Sequence, residues 1–184
     1  TEIGSPHPDF TYGINLNLSY KNLGLTVFGN GSSGNDLFNY VRYFADFNSF
    51  QGNRSVRALR DAWQPSNPSA PRSQWIAANP DATSPIMDAN DQTSSRVTTY
   101  LIEDGSYFRI RNIQLTYTFG DVINETLGIS GGNIYLQGQN LFTFTNYSGL
   151  NPEVNEGSDL TLGYDGGYMP VAKTILVGLN LNLF

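Results

Sequence analysis

Phe10-Thr11-Tyr12-Gly13-Ile14-Asn15-Leu16-Asn17-Leu18-Ser19-Tyr20 alternates apolar and small or polar residues for eleven positions without an exception. A period of two belongs to a strand, because successive side chains point to opposite faces. The usual strand has about 5–6 residues, whereas a tilted strand crossing a bilayer needs about 9–11. The apolar set is also ordered. Phe10 and Tyr12 stand at one end, Tyr20 at the other, and Ile14, Leu16 and Leu18 lie between. Aromatic girdles flanking an aliphatic band mark the lipid face of a membrane-barrel strand. The run predicts a strand over 10–20.

Working outward, Lys21-Asn22 reads as a tight turn into a second alternating run over 23–30, with Leu23, Leu25 and Val27 on one face. Phe28 falls on the polar face of that run. A third strand is predicted over 107–119. Its apolar parity switches from Phe108 and Ile110 to Ile113, Leu115, Tyr117 and Phe119. A bulge near Arg111-Asn112 accounts for the switch, as does a first part standing above the membrane. A fourth strand over 133–144 carries Ile134, Leu136, Gly138, Phe142 and Phe144 on one face, together with Asn140, which lipid tolerates only at an interface or a bulge. A fifth strand over 173–184 carries Ile175, Val177, Leu179, Leu181 and Leu183.

The connections alternate in length. Those at 21–22 and 120–132 are short; those at 31–105 and 145–172 are long, and the first long one has helical spacing at 56–63 that Pro65 ends. Barrels of the outer membrane have short periplasmic turns and long extracellular loops. This orientation puts Phe10, Tyr12, Phe142 and Phe144 at the outer interface, and Tyr20, Tyr117, Phe119 and Phe184 at the inner one. The fold class read here is all-β, a transmembrane antiparallel β-barrel to which this chain supplies five strands. Five strands leave open sheet edges, and each unpaired backbone group in hydrocarbon costs several kcal/mol. The remaining strands are expected in a missing segment or another chain.

Composition agrees. Charged residues make up 14% of the 184 positions, against about 25% in ordinary soluble domains. Aromatics make up 13%. A net charge of −6 argues against nucleic acid as a partner. Cys is absent, which excludes disulfides and thiolate metal sites. There is no initiator Met and no signal peptide; the sequence reads as cut from a longer one. A soluble extracellular β-sandwich that binds glycan is the alternative. It explains the aromatics but neither the ordered girdles nor the alternating loop lengths.

Five segments, in order, resemble one family: Ile3-Gly4-Ser5-Pro6-His7-Pro8-Asp9-Phe10-Thr11-Tyr12-Gly13, Gly34-Asn35-Asp36-Leu37-Phe38-Asn39-Tyr40, Trp63-Gln64-Pro65-Ser66-Asn67-Pro68, Glu103-Asp104-Gly105-Ser106-Tyr107-Phe108-Arg109-Ile110-Arg111-Asn112, and Gln137-Gly138-Gln139-Asn140-Leu141-Phe142-Thr143-Phe144-Thr145. They are similar to segments at the C-terminal end of SusC/RagA-type TonB-linked outer-membrane proteins. The resemblance implies that the chain is the C-terminal part of a barrel of about 22 strands. It implies TonB-dependent import of a bulky nutrient, an oligosaccharide or a peptide. It also implies a SusD-like surface lipoprotein as lid, an N-terminal plug domain absent from this chain, contact with the TonB complex through that absent part, and residence in the outer membrane. It makes the terminal Phe184 a barrel-assembly signal, although the alternating apolar set before it, Leu183, Leu181 and Leu179, is one residue out of step.

No catalytic constellation or cofactor motif stands out. Glu103 and Asp104 are adjacent, so an extended chain points them to opposite faces, unlike a glycosidase pair across one sugar ring. His7 has no second His or Cys to complete a zinc site. Asp81, Asp88 and Asp91, with Asn90, offer oxygen ligands of the kind calcium takes, but without EF-hand order; a solvated acidic loop is the commoner reading. Tyr43, Phe44, Trp63 and Trp75 lie in the long outer loop, as contacts for substrate or lid or as packing within the loop.

Overall fold

The computed structural model describes residues 2–47, 54–88, 96, 98–154 and 160–183. In chain order the elements are β1 (Phe10–Tyr20), β2 (Leu23–Ser33), β3 (Asp36–Asn39), α1 (Tyr40–Asp46), α2 (Val56–Asp61), β4 (Ile102–Asp104), β5 (Tyr107–Thr118), α3 (Asp121–Leu127), β6 (Gly131–Thr145), β7 (Tyr164–Asp165) and β8 (Thr174–Asn182). Five long strands form one antiparallel sheet in the order β1-β2-β5-β6-β8. The protein is all-β, with short helices in its connections.

Register turns the alternation of each strand into two continuous faces. One row runs Leu18–Leu25–Leu115–Leu136–Val177, and the next Leu16–Val27–Ile113–Gly138–Ile175. Toward one end follow Ile14–Gly29–Ile110–Phe142 and Tyr12–Gly31–Phe108–Phe144; toward the other, Tyr20–Leu23–Tyr117–Ile134–Leu179. The opposite face is polar, with hydrogen bonds from Thr26 to Asn17 (3.0 Å), Gln137 to Asn112 (2.6 Å) and Asn180 to Asn133 (3.0 Å). Phe28 stands on that face, between Asn15 and Asn112.

The parity switch in β5 is a bulge. The register slips between Ile110 and Asn112 against β6, and between Phe28 and Gly29 of β2 against β5. Arg111 is the additional residue against β2, which leaves Phe108 and Ile110 on the same face as Ile113. β6 accommodates it with Asn140 in the left-handed region, φ 53°. Asparagine tolerates that conformation better than most residues. Leu141 then covers Gly138 on the apolar face, so Asn140 drops out of the apolar row.

The connections hold more structure than their composition suggests. β2 continues three residues beyond 30, and the long segment after it contains β3, α1 and β4 as well as α2. The helix expected over 56–63 stops at Asp61, because Ala62 is extended (ψ 137°) and bridges Ser84. The expected turn at 120–132 contains α3, closed by Gly128 at φ 65°, a position where glycine avoids the Cβ penalty. The expected loop at 145–172 contains β7. Strand three ends at Thr118, although the Phe119 N–H still bonds Gly132 O at 2.8 Å. Phe184, Asp91 and Asn90 lie outside the described residues.

Candidate functional site

β3 pairs antiparallel with β4 and parallel with β7, making a small cap sheet at the end of the five-stranded sheet, the wall, where β1 begins and β2 ends. β3 leads directly into α1. Asn39 caps that helix, its side chain accepting from the Arg42 N–H at 3.0 Å. Ser55 caps α2 by accepting from the Ala58 N–H at 2.9 Å. Both are residues whose short polar side chains satisfy the free N–H groups of a first turn. A small apolar cluster of Leu37, Tyr147 and Val154 lies within the cap.

Three groups of buried and half-buried polar side chains hold this cap together. Asp46, 1% exposed, closes α1. It accepts from Ser55 Oγ (2.5 Å), Tyr100 Oη (2.6 Å) and Arg42 Nε (3.4 Å), and pairs with Arg57. Burial pushes its carboxyl up, but the hydrogen bonds from Ser55, Tyr100 and Arg57 outweigh it and hold the group below its ordinary 3.8. Glu103 of β4 accepts from Asn39 Nδ2 (2.9 Å), Arg42 Nη1 (3.1 Å) and both the N–H and Oγ of Ser148 (2.9 Å each). Its burial likewise raises its carboxyl, while Ser148, Asn39 and Arg42 bring it below its ordinary 4.5. Tyr147 Oη donates to Asp165 Oδ2 at 2.5 Å, and burial followed by this carboxylate raises the phenol far above its usual range.

A further cluster fixes the segment after β6 to the polar face of the wall. Arg109, 4% exposed, reaches Thr143 Oγ1 (2.9 Å) and Asn151 Oδ1 (2.8 Å) and pairs with Glu153. Arg111, carried by the bulge, reaches Asn30 Oδ1 (2.6 Å) and also pairs with Glu153. Tyr107 Oη donates to Glu153 Oε1 at 2.7 Å. One carboxylate thus joins two arginines and a tyrosine of β5.

The aromatic candidates separate into two groups with no ring contact between them among the described residues. Tyr43 stacks on Tyr40 (5.3 Å) and Phe44 meets Tyr40 edge-on (4.6 Å), next to Phe38 and Tyr164 of the cap sheet. Trp63 lies 6.1 Å from Trp75, whose Nε1 donates to Ala70 O at 2.8 Å. The acidic candidates do not converge. Asp88 pairs with Arg72 and Asp81 is exposed. Among the described residues no three His, Cys, Asp or Glu side chains are grouped to hold a metal ion. Glu103 and Asp104 sit in β4 with separate partners, Asp104 accepting from the Ser106 N–H at 2.8 Å.

Sequence reasoning passed over Asp46, Arg42, Arg57, Arg109 and Glu153. The spacing of Arg42 and Asp46, four apart, was an available helix ion-pair signal. The partners of Glu153 lie more than forty positions away and carry no local signal. Phe108, which the sequence did not group with Tyr12 and Phe144, stands in one row with them.

No family model matches the chain. It is 32% identical over 185 residues to TonB-dependent receptor P3 of Formosa agariphila, an alignment covering 97% of this chain and 17% of that protein. It is 32% identical over 177 residues to TonB-dependent receptor SusC of Bacteroides thetaiotaomicron, covering 96% of this chain and 15% of that protein. The structure of the RagAB peptide importer in its closed-closed state matches with a TM-score of 0.71 at 26% identity, over 97% of this chain and 18% of that one. The chain belongs to the SusC/RagA-type TonB-dependent receptors. The structure of the RagAB peptide importer in its open-open state gives a TM-score of 0.74 at 24% identity, a likeness of fold alone. The chain spans about one sixth of the length of the TonB-dependent receptors it matches. In this receptor segment Asp46, Glu103 and Glu153 are engaged by donors from several elements, and the aromatic rings of the cap pack on one another.

Proposed function

We propose that the chain is the C-terminal wall and outer-loop part of an outer-membrane barrel that imports bulky nutrients, oligosaccharide or peptide, with TonB and a SusD-like surface lipoprotein. The observation that carries this reading is the aliphatic band shared by all five strands. Leu16, Leu115, Leu136 and Val177 are 44%, 48%, 50% and 72% exposed, and no described element covers them. An exposed apolar surface of this extent calls for lipid or a partner. The chain's role is to separate lipid from a polar lumen and to carry the outer cap; no chemistry is assigned to it.

In this reading Phe10, Tyr12, Phe142 and Phe144 form the outer girdle, and Tyr20, Tyr117 and Phe119 the inner one. Tyr43 and Phe44 lie on the cap, where a lid protein docks, and Trp63 and Trp75 lie in the same outer region. Phe184 serves barrel assembly. The remainder of the barrel, with the plug, supplies the other strands and the link to TonB. Fractionation of the parent protein tests the reading. Recovery in the membrane fraction, released by detergent alone, is expected; recovery in the aqueous phase sinks it. A glycan-binding sandwich would need a second sheet on the apolar face, and the described residues contain none.

A further inference from the structure

Where the outer end of the wall meets the cap, an amphipathic cavity of about 330 Å³ opens beside Tyr12, Phe108 and Phe144. Three rings form its floor: Tyr12 stacks parallel to Phe108 at 5.9 Å, and Phe108 to Phe144 at 6.5 Å. These rings belong to the apolar face, with glycines beside them. A Cβ on Gly29 would stand 2.6 Å from the Phe108 ring, and one on Gly31 2.8 Å from the Tyr12 ring. The strands end in a polar rank directly above: Ser33, Asp104, Ser106, Thr145 and Asn146. Several of these are already engaged, since Thr145 Oγ1 donates to Ser106 O (2.8 Å) and the Gly34 N–H donates to Ser106 Oγ (3.0 Å). The exposed Asn146 amide and Asp104 Oδ2 have no hydrogen-bond partner among the described residues.

We infer that this cavity holds a membrane lipid with an uncharged sugar headgroup. The inference rests on the lipid-facing reading of the apolar face. Its location, continuous with the aromatic rank and at the level where strands leave hydrocarbon, is headgroup depth. The lining chooses among headgroups. Among the described residues it contains a carboxylate and no Lys or Arg, so a phosphate headgroup meets a like charge with no described cation in the lining to neutralise it. A sugar ring offers apolar C–H faces to the aromatic floor and hydroxyls to Asn146 and Asp104. The volume falls in the range of roughly 300–1,000 Å³ usual for small-molecule sites. In the strand order β1-β2-β5-β6, Tyr12, Phe108 and Phe144 come from β1, β5 and β6, so the three-ring floor is built from this chain alone.

The test uses the full parent receptor in nanodiscs of phosphatidylglycerol mixed with monoglucosyl diacylglycerol, with retained lipids counted by mass spectrometry of the intact protein. The glucolipid is expected to be enriched about fivefold over its bulk ratio, the scale of one net hydrogen bond. Phe144→Leu, which keeps an apolar side chain but removes the ring, and the exposed Asn146→Ala are each expected to bring the ratio back toward bulk. A receptor that inserts but retains lipids at the bulk ratio overturns the site. Enrichment of phosphatidylglycerol overturns the uncharged headgroup. A receptor that fails to enter the bilayer overturns the lipid-facing reading beneath both.

Discussion

Leu141 lies across Gly138, so closely that a Cβ on Gly138 would stand 2.5 Å from Leu141 Cδ1. The contact exists because Asn140 takes a left-handed backbone, which advances β6 by one residue against β5 at the Arg111 bulge. The glycine is thus the space into which the bulge delivers its apolar residue. Gly138→Val is expected to strain the wall by about 1–3 kcal/mol, as overpacking does. The measurement is the midpoint of thermal unfolding of the parent receptor in detergent. An unchanged midpoint would show that Leu141 is free to swing away.

The two faces of β5 give opposite expectations for neighbouring positions. Leu115→Arg places a charge in the aliphatic band and should cost roughly 2–4 kcal/mol if that band meets the bilayer midplane. Thr116→Arg points to the polar face and should assemble nearly as the parent does. The yield of heat-modifiable folded barrel on a gel compares them, and equal yields would contradict the facing.

Asp46 is the buried acceptor on which Arg42, Arg57, Ser55 and Tyr100 converge. Asp46→Ala leaves two guanidinium groups without their buried partner, a loss of about 3–5 kcal/mol by analogy with broken buried pairs. The effect should be confined to the cap. Hydrogen exchange across 40–47 and 54–62 should quicken while β5 and β6 stay protected. Acceleration of the wall as well would show that cap and wall unfold together.

The cap should loosen in acid. Asp46 and Glu103 both have carboxyls held below their ordinary values of 3.8 and 4.5. The sign follows from linkage. A carboxyl whose folded value is depressed contributes stability that is fully present above its unfolded value and is lost as pH falls through the folded value. The cap should keep its protection above about pH 5 and lose it progressively below about pH 4. Hydrogen exchange of 98–104 at stepped pH, with Glu103→Gln as the comparison, checks this; a flat profile would refute it.

Glu153→Gln should release the segment after β6. Without the carboxylate, Arg109 keeps Thr143 and Asn151 but loses its counter-charge while 4% exposed. The expected outcome is faster proteolysis within 146–154 in the parent receptor, with the wall strands intact. Unchanged cleavage would mean that Asn151 and Thr143 suffice to hold the segment.

The sequence by itself determined the wall. Alternation over Phe10–Tyr20 specifies a strand because side chains on a pleat alternate faces, and that signal is local and repeated in each long strand. Even the parity break at Arg111-Asn112 was legible as a bulge. Tertiary structure alone decided what the polar connections do. β3 joins β4 across more than sixty positions, and Glu153 meets Arg109 across more than forty; no periodicity records such partners, because they are set by which chain segments the wall brings to one end. It also decided the fate of Asn140, whose place on the apolar face by counting was undone by a backbone turn that only the pairing of β5 with β6 reveals. Where the physical cause is the pleat of one strand, the residues carry it in order; where it is desolvation of charges from distant segments, only the assembled fold brings them together.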